Sequence, residues 1–154
     1  MIEGVNIGHA LIAGVLAGYA MTIGAFWLEG VFGLPRMDLG IAGMKYMGGD
    51  KPGWWFVGHL THSVNSMVLA LIYAGAVFLN LEDIFSNPID WWWGPLAGLA
   101  YGFVVFLVLP MGIMGTIMTL TGQRLPMDAK FVALNLILHL VYGAALGALY
   151  FPIR

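Results

Sequence analysis

The chain has 154 residues, 60% of them from the set AVILMFWYC and only 9% charged, with a formal charge of −2 and a mean hydropathy of +0.88. That balance is far more apolar than a soluble domain and leaves no basic surface for nucleic acid, so membrane lipids and other transmembrane chains are the expected partners. The absence of cysteine excludes disulfides, thiolate metal sites, iron–sulfur clusters and thiol nucleophiles.

The N-terminal stretch MIEGVNIGHALIAG lacks the basic region of a signal peptide, so the first apolar segment reads as a retained span. A bilayer core roughly 30 Å thick requires about 20 apolar helical residues. Four uncharged runs meet that need, at about 8–28, 54–79, 94–118 and 131–151. Loop 29–53 is long for a small bundle; its MDLGIAGMKYM stretch predicts a short interfacial helix over 37–47, and the Gly-Gly-Asp-Lys-Pro-Gly turn ends it. Trp54 and Trp55 open the second span and Trp91, Trp92 and Trp93 precede the third, positions suited to rings anchored at the two interfaces. Pro110 removes one helical hydrogen bond and predicts a kink in the third span near Phe106. Arg36, Lys45 and Lys51 sit in loop 29–53 and Arg124 and Lys130 in loop 119–130, against Arg154 alone elsewhere. The positive-inside bias therefore places both basic loops in the cytoplasm and both termini outside it.

Ala-Gly-x3-Gly followed by Leu-Pro and Met-Asp occurs twice in the same order, at 13–18 with 34–38 and at 97–102 with 125–128. Spans one and three are therefore copies, as are two and four, and the halves share an orientation in the membrane. Two registers compete for the second pair: His59-Leu60 against His139-Leu140, or LIYAGA (71–76) against LVYGAA (140–145). Small residues recur four apart at Gly14/Gly18, Gly98/Gly102, Gly143/Gly147 and Ala70/Ala74, a spacing that lets helix backbones approach in lipid or dock onto another protein's helices.

On span two His59, His62, Ser66 and Tyr73 lie near one face, with Asn65 at its edge, and on span four Asn135, His139 and Tyr142 do the same. Polar groups unpaired against lipid are costly, so the two stripes should face each other or a partner. Counting from each span's midpoint places His62 about 7 Å and His139 about 3 Å toward the cytoplasmic side. Three readings stay open for these imidazoles. They could ligate a b-type haem between spans two and four, with His59 as alternate ligand. One of them could hold a chlorophyll-type pigment, a quinone or a bound lipid. They could also serve as interhelical hydrogen-bonding groups, the expectation for His9 as well, which lies at the opposite face with no matching partner.

No span contains Asp, Glu, Lys or Arg, whereas ion-coupled carriers commonly place one at membrane depth. No GxSxG, HExxH, P-loop or GxGxxG pattern occurs, so no catalytic residues and no enzyme activity are expected. Asp38 and Asp128, the acids after Leu-Pro, are positioned to cap short helices; a metal site from Asp38, Asp128 and His59 matches no ligand template, and no metal ligands are assigned.

HLVYGAALGALY (139–150), LPRMD with GHLTH upstream, and GPLAGLAYGFVVFLV (94–108) together resemble a family of uncharacterised small four-helix integral membrane proteins of bacteria and archaea. The resemblance covers nearly the whole chain, although His62 and GGDKPGWW fall outside its pattern. It implies the four-span topology, a prokaryotic inner-membrane location and the His-Leu pairs, and no activity, substrate or cofactor. The expected architecture is an all-α, polytopic, four-transmembrane-helix bundle of two parallel-related helical hairpins. The expected function is that of an accessory subunit in a larger membrane complex, with an energy-converting respiratory or photosynthetic assembly as the setting. The alternatives are a haem-binding electron-transfer subunit and a channel or carrier for a small neutral solute along the Tyr73–Tyr142 stripe.

Overall fold

A computed structural model describes residues 5–35, 47–78, 92–109 and 128–150. These form four α-helices and no strand: α1 (Ile7–Phe32), α2 (Trp54–Ile72), α3 (Trp93–Phe106) and α4 (Ala129–Tyr150). Helix α2 runs on into a wider π-helical turn over Tyr73–Phe78. Helices α1 and α4 are long and apolar enough to cross a membrane, and the apolar helix Trp93–Leu109 is shorter. The interfacial helix expected at 37–47 and the kink expected from Pro110 fall largely outside the described residues, although the backbone widens directly after Phe106, over 107–109.

Local chemistry sets the helix ends. Asn6 caps α1 by accepting from the His9 backbone N–H at 3.0 Å. Helix α1 continues past the uncharged run expected to end at 28, takes in Glu29, and stops where Gly33 adopts φ 60° and donates to the Glu29 carbonyl. Asp128 precedes α4 and its Oδ1 accepts from Phe131 N at 2.8 Å, so the acid does cap, but at the start of the long helix and not of a short one. Asp38 lies outside the described residues.

On α1 most of the buried residues are small and several of the largest apolar ones are exposed. Along α1 the buried positions are Ala10, Ala13, Gly14, Ala17, Gly18, Met21, Thr22, Ala25 and Leu28, whereas Ile12, Ile23 and Trp27 on the outer face are each more than 60% exposed. Leu60, Val64 and Val68 on α2, and Leu96, Phe103 and Val104 on α3, are likewise exposed. The interior also holds large side chains, among them Tyr101 and Phe106 of α3 and Leu134, Leu138, Tyr142 and Leu146 of α4, so small residues line the core chiefly along α1 and at the glycine contacts.

Helix α1 packs on α2 and on α4, α4 packs on α3, and the π-helical turn of α2 returns to α3, so the four close into a ring. The ring of His9 at the start of α1 stacks on Tyr150 at the end of α4, centroids 5.3 Å apart, so these helices run antiparallel.

The ring has an internal pseudo-two-fold relation finer than the sequence repeat showed. A Cβ added at Gly14 would meet Ser66 and Ala70, and one at Gly18 would meet Ser66 and His62; on the other side Gly98 faces Gly143 and Gly147, and Gly102 faces His139 and Gly143. Gly14 and Gly18 thus correspond to Gly98 and Gly102. In the same way Ser66 and Ala70 correspond to Gly143 and Gly147, and His62 to His139. Extended along the helix, that register also pairs Tyr73 with Tyr150. Neither register weighed from sequence, His59 with His139 or 71–76 with 140–145, is the one that packing selects. The contact residues that define it differ between the halves, Ser and Ala in one and two glycines in the other, so letter matching could not find it.

Candidate functional site

The polar layer of the bundle is built from the glycine contacts upward. Gly18 lacks a side chain, so α2 can approach α1 until the His62 ring lies over it, with Nε2 3.3 Å from the Gly18 carbonyl oxygen. Thr22 Oγ1 donates to the same carbonyl at 3.1 Å. A carbonyl oxygen only accepts, so His62 carries its proton on Nε2 and leaves Nδ1 as a lone pair. Across the bundle His139 donates from Nδ1 to the Asn135 carbonyl one turn back, at 2.7 Å, which leaves Nε2 as its lone pair. Phe106 of α3 packs edge-on to His139 at 6.1 Å between centroids. His139 lies one turn before Tyr142 and His62 one turn before Ser66, and Tyr142 bonds to the Ser66 carbonyl, so the two imidazoles stand at one level of the bundle.

One turn along, Tyr142 OH donates to the Ser66 carbonyl oxygen at 2.7 Å and ties α4 to α2. Beyond it Tyr101 OH donates to Leu69 O at 2.7 Å and Tyr73 OH to Gly94 O at 3.3 Å, each joining α2 to α3. Tyr73 packs against Tyr101 at 5.2 Å and against Tyr150 at 6.3 Å. The interior therefore carries an aromatic file from His9 and Tyr150 at one end to Tyr142 and the imidazole pair toward the other.

The other residues marked from sequence separate into three groups. Asn135 is buried but donates from Nδ2 to Phe131 O of its own helix at 2.9 Å, and among the described residues it makes no bond to another helix. Asn65 is exposed, outside the stripe proper. His59 is half-buried and meets Trp55 edge-on at 6.0 Å, on the interfacial side of the pair. Gly14, Gly18, Gly98, Gly102, Gly143 and Gly147 all lie at the helix contacts. Two residues escaped the sequence reading. Tyr101 has no polar neighbours at helical spacing to mark it, and Tyr150, which supplies the partner that His9 lacked, sits at the end of its span where a tyrosine reads as an interfacial anchor.

Several chemical uses can be weighed against this geometry. A haem plane between α2 and α4 would have to part the Tyr142–Ser66 bridge and turn His62 away from Gly18. A solute path lined by Tyr73 and Tyr142 would have to free two hydroxyls that are spent on backbone carbonyls. No family model, no curated protein and no solved structure matches the chain.

Proposed function

We propose that the protein is an accessory transmembrane subunit that packs into a larger membrane assembly. In this reading it spans the membrane four times, as two parallel-related hairpins, with both termini outside the cytoplasm. One observation carries the proposal: many large apolar side chains, Ile23, Trp27, Phe56 and Phe103 among them, remain exposed on α1, α2 and α3 while the interior is closed by glycine contacts and by tyrosines bonded to backbone. The chain's chemistry is directed at holding helices together, and its outer faces suit lipid or the helices of another subunit. An energy-converting complex is the setting this reading favours.

The test is extraction of native membranes in mild detergent followed by a native gel. Migration with other membrane subunits supports the proposal, and a monodisperse monomer from the same membranes refutes it. A second reading, an electron carrier with haem held by His62 and His139, draws on the common level of the two rings in the bundle. A reduced-minus-oxidised absorption spectrum of the same band decides it, because haem bands must appear and must vanish in His62→Ala or His139→Ala.

A further inference from the structure

We propose that His62, His139 and Met21 form a binding site for a soft monovalent metal ion such as Cu(I) or Ag(I), at the layer where the two halves of the bundle meet. The inference is independent of the subunit reading and rests on three observations.

First, each imidazole donates one ring N–H to a backbone carbonyl, Gly18 O for His62 and Asn135 O for His139. Metal-binding histidines are commonly fixed in this way, because the bond sets the tautomer, orients the ring and makes the other nitrogen more basic. Among the described residues the remaining nitrogens, Nδ1 of His62 and Nε2 of His139, make no hydrogen bond. They are also not fully enclosed, in contrast to Nδ1 of His9, which is buried with no partner.

Second, Met21 is buried in the core, 6% exposed, at the same depth as the pair. It sits one turn after Gly18, which the His62 ring touches, and one turn before Gly24, whose nearest neighbours are Leu138 and Val141 of α4. Met21 therefore belongs to the stretch of α1 between the contact that holds His62 and the contact with the part of α4 next to His139.

Third, the donors are all neutral. Two imidazoles and a thioether are soft to borderline ligands that favour Cu(I) over hard cations. The described parts of the helices place no carboxylate at this layer, so nothing offsets the second charge of a dication in a low-dielectric interior. The pseudo-two-fold relation supplies the reason for the pairing: His62 and His139 are counterparts, one from each half, and a two-coordinate or three-coordinate ion takes one donor from each.

The test uses the full chain purified in detergent and titrated with Ag(I), or with Cu(I) against a chromogenic Cu(I) chelator. The expected result is one ion per chain, with affinity lowered at least tenfold in His62→Gln and His139→Gln, lowered less in Met21→Leu, and unchanged in His9→Gln and His59→Gln. Imidazole ¹⁵N resonances of the unmodified chain give a readout that needs no variant: those of His62 and His139 should shift on adding Ag(I), and those of His9 and His59 should stay. Binding that is equal in all variants, binding by surface methionines without those shifts, or no uptake against the chelator would each overturn the proposal.

Discussion

Each tyrosine hydroxyl that crosses between helices ends on a backbone carbonyl already committed to its own helix, so each bond adds a second donor to an occupied acceptor. Removing such a hydroxyl leaves no carbonyl without a partner, and the cost should be the modest value of an interhelical bond in lipid. Tyr142→Phe is therefore expected to destabilise the bundle by about 0.6–1 kcal/mol, read from reversible unfolding in mixed micelles. Ser66→Ala tests the geometry from the other side. The Ser66 main chain is the acceptor for Tyr142, so the alanine variant should keep that bond and lose little stability. Sequence marked Ser66 for its hydroxyl, and the bundle uses its carbonyl as well. Side-chain type cannot reveal such a role, because every residue carries the same main-chain acceptor.

At the scale of the element, the closeness of α3 to α4 rests on four glycines. A Cβ at Gly98 would collide with the Gly143 carbonyl, one at Gly102 with the His139 carbonyl, and one at Gly147 with the Gly94 carbonyl. The obstacle in each case is backbone and cannot rotate away. At Gly14 the obstacles are the Ala70 Cβ and the Ser66 carbonyl at 2.7 Å, and at Gly30 there is open space. Gly98→Ala and Gly143→Ala should cost about 1–3 kcal/mol through forced separation of the helices, Gly14→Ala less, and Gly30→Ala nothing or a small gain from helix propensity. Unfolding of the four variants in one detergent system checks the order. Equal effects at Gly98 and Gly30 would contradict the packing described. The cap at α4 gives a separate expectation: Asp128→Ala removes the acceptor for Phe131 N–H and should cost about 1 kcal/mol without changing the helix contacts.

At the scale of the molecule, the outward-facing Ile12, Ile23, Trp27, Phe56 and Phe103 define what the surroundings must be. The bundle in water would present these side chains together, well beyond the apolar patch a soluble monomer tolerates. Single-cysteine labelling from each side of the membrane, at Asn6, Asp50, Asp83 and Lys130, measures the crossings. The four-span reading expects Asn6 and Asp83 labelled from outside and Asp50 and Lys130 from the cytoplasm. Any other pattern would also undo the depth match of His62 with His139, since that match assumes both helices cross with their histidines nearer the same face.

The sequence by itself determined the helical class, the apolar character of α1 and α4, the correspondence of α1 with α3 through Gly14/Gly18 and Gly98/Gly102, and Asp128 as a capping acid. These follow from composition and local spacing, which act within one stretch of chain. Only the tertiary structure decided that His62 is the counterpart of His139, that His139 and Asn135 bond within their own helix, that Tyr101 and Tyr150 complete the aromatic file, and that Met21 lies in the core one turn after the glycine that His62 touches. Those facts depend on which helix each face meets and on how far glycine lets the backbones approach. Such relations join residues distant in the chain, and no periodicity within one span encodes them.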